Sequence, residues 1–373
     1  MAMIAIPRLT APRFGAIRPG ALIAGRHVAL VGSALLFVAA LAGVAALLPS
    51  PKGAYVKMPL SAVFRRAPPG WRESLIAASG PLSVTEDVVR LSERPFGPLA
   101  GVTWRAAAGA RPGSGPLPPA PIAGLYAPGP GGPLPIIAPD GRTPFDGYRR
   151  PFVANGRPKI AIVIGGLGLN ARATRQAIET LPPEVTLSFA PYAEGLQGWI
   201  AMARAAGHEV LLETPMEPVD YPDNDPGPYT LMTDASPPEM VKKLEWVLSR
   251  ATGYFGLSNY LGSKFLNNDA AYASFASAAA SRGLGFIDDG AAALKTYGGL
   301  PRASAERVVD DTLNQTAIDQ QLLALEAGAM QRGQALGAGF AYPITLEKVA
   351  RWASGLNDRG FQLAPASALA TRR

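Results

Sequence analysis

Cysteine is absent from the 373 residues, and histidine occurs only twice, as His27 and His208. The first absence excludes disulfides, a thiolate nucleophile and any cysteine-held zinc. The second leaves too few imidazoles for a histidine-held zinc site. Acidic residues are missing before Glu73, whereas Arg8, Arg13, Arg18 and Arg26 all lie in that stretch. Residues 1–150 hold 16 Lys/Arg against 6 Asp/Glu, and residues 151–373 hold 19 against 22. The formal charge of +7 therefore resides in the N-terminal part, and the remainder is mildly acidic. A nucleic-acid binder concentrates positive charge on its folded module, so no nucleic-acid partner is expected.

Residues 28–48 run for 21 positions without a charge and are dominated by Ala, Val and Leu. As a helix they would extend about 32 Å, enough for a bilayer core. The arginines before this run orient it with residues 1–27 as a cytoplasmic tail and the rest outside. The apolar run exceeds the ~7–15 residues of a signal-peptide core, which favours an uncleaved single-pass anchor in an inner membrane. The C-terminal part is then expected in the periplasm. From 49 to 150 there are 19 prolines with glycines between them. That composition reads as a semi-rigid extended linker, and residues 112–135 are expected to sustain neither helix nor sheet. Residues 134–148 are placed to pack on the domain that follows.

Beyond residue 150 the pattern becomes one of short apolar runs alternating with amphipathic stretches. Strands are expected at 159–165, 185–189, 209–214, 254–258, 285–288, 307–309, 334–340 and 361–364. Helices are expected at 171–180, 196–206, 237–250, 269–282, 316–332 and 346–356, with a short one near Ala291. Such alternation means a parallel sheet covered by helices, or one closed into a barrel. The segment Gly166-Leu167-Gly168-Leu169-Asn170-Ala171 matches G-x-G-x-x-A after a strand. No acidic residue ends the next strand and no lysine follows, so it reads as a tight turn rather than a nucleotide site.

The ordered segments IAIVIGGLGLN, VTLSFAPY, ARAAGHEVLLETPMEP, NDPGPYTL, SNYLGSKF, RGLGFIDDG and AYPITL resemble the divergent polysaccharide deacetylase family over residues 157–370. This is a branch of the NodB-like carbohydrate esterases. The resemblance implies an α/β fold, a distorted (β/α)7-type barrel of the NodB-like deacetylase kind, and a cell-envelope glycan as partner. Active members of that superfamily use a divalent metal, held by Asp and His, to polarise an N-acetyl carbonyl. Where typical members carry Asp-Asp after the first strand, this chain has Gly165 and Gly166. The expected histidines are replaced by Glu213, Tyr260 and Phe340. His208 precedes its strand and is expected at the opposite, N-terminal end, in a packing role.

What remains at the expected functional rim is a set of carboxylates. Glu213, Asp288 and Asp289 are the candidate catalytic residues, and Glu217, Asp220, Asn259 and Tyr260 are the candidate substrate contacts. Carboxylates, an amide and a phenol suit hydrogen bonding to sugar hydroxyls, or oxygen ligation of a divalent cation without histidine. Three functions follow: a glycan binder without histidine–metal catalysis, a hydrolase or deacetylase using rim carboxylates, or a structural protein of the envelope.

Overall fold

The computed structural model describes residues 115–372. The chain divides into two units, Met1–Val102 and Thr103–Arg373, and all described residues belong to the second. The expected membrane anchor and the first part of the linker lie outside the described residues. Among the described residues, no helix is long and apolar enough to cross a membrane.

Order begins earlier than composition suggests. β1 (Tyr126–Gly129) and β2 (Gly132–Pro135) form an antiparallel hairpin, followed by helix α1 (Pro144–Tyr148). The expectation that residues 112–135 sustain no ladder is thus corrected. A two-stranded hairpin is all edge, and an edge strand tolerates proline because its missing N–H faces away from the partner. Residues 115–150 act as a strap, with Leu117, Leu125, Phe145 and Tyr148 buried.

The body of the domain is a curved, predominantly parallel sheet. β3 (Lys159–Leu167), β4 (Thr186–Phe189), β5 (Val210–Met216), β6 (Gly256–Leu261) and β7 (Gly285–Asp288) lie side by side, and β10 (Gln334–Phe340) joins the other edge of β3. These strands are near-continuous apolar runs because both faces are buried, one against helices and one inside the curve. The helices are α2 (Ala171–Thr180), α3 (Leu196–Ala205), α4 (Pro237–Leu248), α5 (Asp269–Ser281), α6 (Gln315–Arg332) and α7 (Pro343–Ser354). Their starts are set by side chains: Asn170, Asn268 and Asn314 each accept the N–H three residues on. This is the usual way to satisfy orphan N–H groups at a helix N-terminus.

The gap between β7 and β10 is crossed by a broken stave. β8 (Pro301–Ser304) pairs with β7, and β9 (Arg307–Val308) pairs with β10. Between them, Ala305 N donates to Asp288 O at 2.8 Å and Glu306 N donates to Leu336 O at 2.8 Å. β8 was not foreseen, and the helix expected near Ala291 is instead a run of turns. Two short pieces, β11 (Gln362–Leu363) and β12 (Thr371–Arg372), complete the sheet.

The N-terminal end of the strands is sealed by polar groups. Glu209, fully buried, accepts from Thr186 Oγ1 at 2.7 Å, Ser367 N at 3.0 Å, Ser367 Oγ at 2.5 Å and Arg150 N at 3.0 Å. His208 stands beside it, as expected at this end, with Nδ1 2.8 Å from Val185 O. Burial lowers the imidazole from 6.5 to about 4. A base whose folded pKa is depressed keeps its full contribution above 6.5 and loses it as pH falls towards 4, because only the unfolded chain takes the proton. His208→Gln is therefore expected to flatten the decline in stability between pH 6.5 and 4. The decline attributable to His208 in the parent is about 3 kcal/mol, measured by urea unfolding across that range.

Candidate functional site

Alternation along each strand decides which side chains enter the curve. Val163 and Gly165 of β3, Ser188 of β4, Leu211 and Glu213 of β5, and Ser258 and Tyr260 of β6 share that inner face. Ser188 and Ser258 meet there, oxygen to oxygen, at 2.6 Å. At the C-terminal end a cavity of about 210 Å³ opens, bordered by Glu213, Asp289, Asn259, Ser258 and Phe340.

Glu213 is the innermost carboxylate of this cavity, with only 4% of its surface exposed. Gly166 N donates to Oε1 at 2.5 Å. That N–H is aimed by an irregularity: the β3–β4 register shifts between Ile164 and Leu167, and Gly166 has φ +72°. A side chain at Gly165 would place its Cβ 2.8 Å from Glu213 Oε1. The two glycines and the glutamate therefore form one arrangement, in which the carboxylate fills space vacated on β3. Burial pushes Glu213 up from 4.5 to about 7, against the single bond from Gly166.

The other expected residues divide by which way they face. Asp288 borders the cavity, but it shares its strand face with buried Phe286, so its carboxylate turns outward. There Oδ2 accepts from Ser304 Oγ at 2.6 Å and Arg302 at 3.1 Å, and Oδ1 accepts from Gly290 N at 2.9 Å and Ala292 N at 3.0 Å. Every lone pair has a structural task, which argues against a catalytic role for Asp288. Asp289 faces inward at the rim. It is exposed, yet desolvation by the surrounding wall still raises its carboxyl above the ordinary range. Asn259 joins the two rim strands, accepting from Asp289 N at 3.0 Å and donating to Leu261 O at 2.7 Å. Leu261 has φ +58°, a conformation that a non-glycine residue holds only when its surroundings impose it.

Glu217 is not free for substrate. Burial alone would raise it, but bonds from Lys264 at 2.6 Å and from Thr233 N at 2.8 Å and Oγ1 at 2.6 Å hold it below the usual range. It ties the loop after β5 to the loop after β6. Asp220 is exposed in that first loop. Tyr260 is half-buried, and desolvation, reinforced by Glu213 and Tyr342, raises its phenol.

Tyr342 and Asp310 escaped the sequence reading, and Phe340 entered it only as the replacement of an expected histidine. Phe340 and Tyr342, 37% and 46% exposed, stand side by side with ring centroids 6.3 Å apart. Asp310, just past β9, accepts from Phe340 N at 2.7 Å and Thr345 Oγ1 at 2.9 Å, and so fixes this aromatic segment. A carboxylate directly after an expected strand was the available signal. A second cavity, of about 200 Å³, lies along β8 and the start of β10. Its Lys295, Arg302 and Glu306 are committed to ion pairs with Asp269, Asp288 and Arg332, so it offers no unspent charge.

A histidine-held divalent metal does not fit these residues. Glycines occupy the two aspartate places, Glu213, Tyr260 and Phe340 replace imidazoles, and Asp288 faces away. Among the described residues no group of three His, Cys, Asp or Glu converges as a metal would require.

The domain is thus a curved, mainly parallel α/β sheet with carboxylates gathered at the C-terminal end of its strands. The family model for divergent polysaccharide deacetylase matches residues 162–370, and the chain belongs to that family. Among solved structures it is similar to an uncharacterized protein from Agrobacterium tumefaciens C58, at 36% identity and TM-score 0.61, covering 64% of this chain and 99% of that one. More remote is the catalytic domain of a peptidoglycan N-acetylglucosamine deacetylase from Eubacterium rectale, at 13% identity and TM-score 0.38, covering 57% and 90%. A CE4 family pseudoenzyme from Bacillus anthracis follows at 10% identity and TM-score 0.38, covering 58% and 66%. No curated protein matches the chain.

Proposed function

We propose that this protein binds a cell-envelope glycan at the cavity around Glu213, without histidine–metal catalysis. One observation carries the reading: a buried carboxylate takes the place of the metal site, Phe340 borders its cavity with Tyr342 beside it, and Tyr260 lies close to Glu213. Exposed rings beside hydrogen-bonding groups suit sugars, which present apolar C–H faces and polar edges. The proposal extends to location. Residues 28–48 anchor the chain in the inner membrane, and the domain faces the periplasm; the uncharged run and the arginines before it support this.

Full-length protein in detergent micelles is titrated with fragments of envelope polysaccharide by calorimetry, and released acetate is measured in parallel. Saturable binding with no acetate release, with or without added Zn²⁺, is the expected result. Metal-dependent acetate release abolished by Glu213→Gln would replace this reading with hydrolysis at the rim carboxylates. The value of about 7 for Glu213 favours that second reading over a purely structural role.

A further inference from the structure

The cavity holds a buried carboxylate with an unused oxygen and no cation to meet it. Glu213 is almost wholly buried and receives only Gly166 N–H, on Oε1; among the described residues nothing donates to its Oε2. Asp289 receives Ala291 N–H on Oδ1 at 3.1 Å and a further hydrogen bond from the Asn259 side chain. Of the donors nearby, the Tyr260 phenol and one serine hydroxyl are uncommitted, and the rest are spent. Gly166 N–H is spent on Glu213, one serine hydrogen is used inside the Ser188–Ser258 pair, and Asn259 gives one amide hydrogen to Leu261 O. No lysine, arginine or histidine borders the cavity.

This inventory selects among ligands. An anion would meet two carboxylates and no cation. An acetamido carbonyl could take a hydroxyl hydrogen there but would leave the charge of Glu213 without a partner. A divalent ion would have to fill most of its shell with waters, because no group of three carboxylates or imidazoles converges among the described residues. A protonated primary amine carries three donors and one positive charge. It also reverses the cost of keeping Glu213 ionised in a desolvated position. The cavity is smaller than those that enclose a drug-sized ligand, so it fits one substituent while the rest of the molecule lies on the aromatic rim.

We propose that the cavity receives the free ammonium of a de-N-acetylated amino sugar, held by Glu213 and Asp289, with the sugar ring against Phe340 and Tyr342. This rests on the glycan-binding reading and names its ligand class. The full-length protein in detergent is titrated with a glucosamine tetramer and, separately, with the fully N-acetylated tetramer. The expected result is roughly tenfold tighter binding of the free-amine form, the size of one charge-assisted hydrogen bond over a neutral one. Glu213→Gln, which keeps shape and removes charge, is expected to abolish that preference. Asp289→Asn, at an exposed position, is expected to reduce it and serves if the first variant misfolds. Equal or tighter binding of the N-acetylated tetramer overturns the amine proposal and leaves the glycan reading standing. A free-amine preference unchanged in both variants overturns the assignment to this cavity, and binding of neither tetramer overturns both readings.

Discussion

Glu213→Gln raises the stability of the domain at pH 8 by about 3 kcal/mol and leaves it nearly unchanged at pH 4. The reason is linkage between protonation and folding. In the unfolded chain this carboxyl ionises near 4.5, whereas burial in the folded state moves it to about 7. An acid raised on folding contributes fully below its unfolded pKa, and that contribution is lost as pH rises through the folded pKa. The gap corresponds to about 3 kcal/mol once both states are ionised. Glutamine carries no charge to desolvate, and its amide oxygen still accepts from Gly166 N–H. Urea unfolding at pH 4, 6 and 8 checks this. Parallel pH curves for parent and variant would mean that Glu213 is solvated or paired in solution. The prediction also connects to ligand binding. A cation seated in the cavity should restore much of the lost stability in the parent at pH 8, and none in the variant.

A site that destabilises its own fold at neutral pH is where local sequence rules and global stability part company. Its outline was legible. The strands around it are apolar runs bounded by turns, and carboxylates just past their ends were foreseen at the functional rim. What the residues did not disclose was direction. Asp288 and Asp289 are neighbours, and a one-residue step along a strand exchanges the two faces. Only the register of β7 with β6 and β8 sends Asp288 to Arg302 and Asp289 to the cavity. The ties of Glu217 were hidden because its partner Lys264 is 47 positions away. Gly165 and Gly166 looked like losses from a metal site. Their positive contribution, room and a donated N–H for Glu213, depends on a carboxylate 47 positions on from Gly166.

The strap is the second feature that composition concealed, and Arg204 is its test: Arg204→Ala costs about 3–5 kcal/mol of stability. Arg204 lies near the end of α3 and is 1% exposed. Among the described residues it has no carboxylate partner in hydrogen-bonding contact; its guanidinium meets carbonyls instead. Nε and Nη2 donate to Pro118 O at 3.0 and 2.8 Å, and Nη1 donates to Tyr148 O at 2.9 Å and Gly253 O at 3.0 Å. The Tyr148 ring lies beneath it, 5.1 Å from Cζ. Burial lowers the guanidinium to about 10, so it stays charged at neutral pH. One side chain thereby fastens both ends of the proline-rich strap to the turn that leads into β6. Truncation leaves three carbonyls unpaired in a buried place, and breaking such a charged network is among the costliest single changes. Arg204→Lys keeps the charge but not the planar fork, and should recover less than half of the loss. Denaturant unfolding measures the cost, and limited proteolysis of residues 115–148 locates it. A loss below 1 kcal/mol, or cleavage sites unchanged from the parent, would show that the strap is held by Leu125, Phe145 and Tyr148 alone.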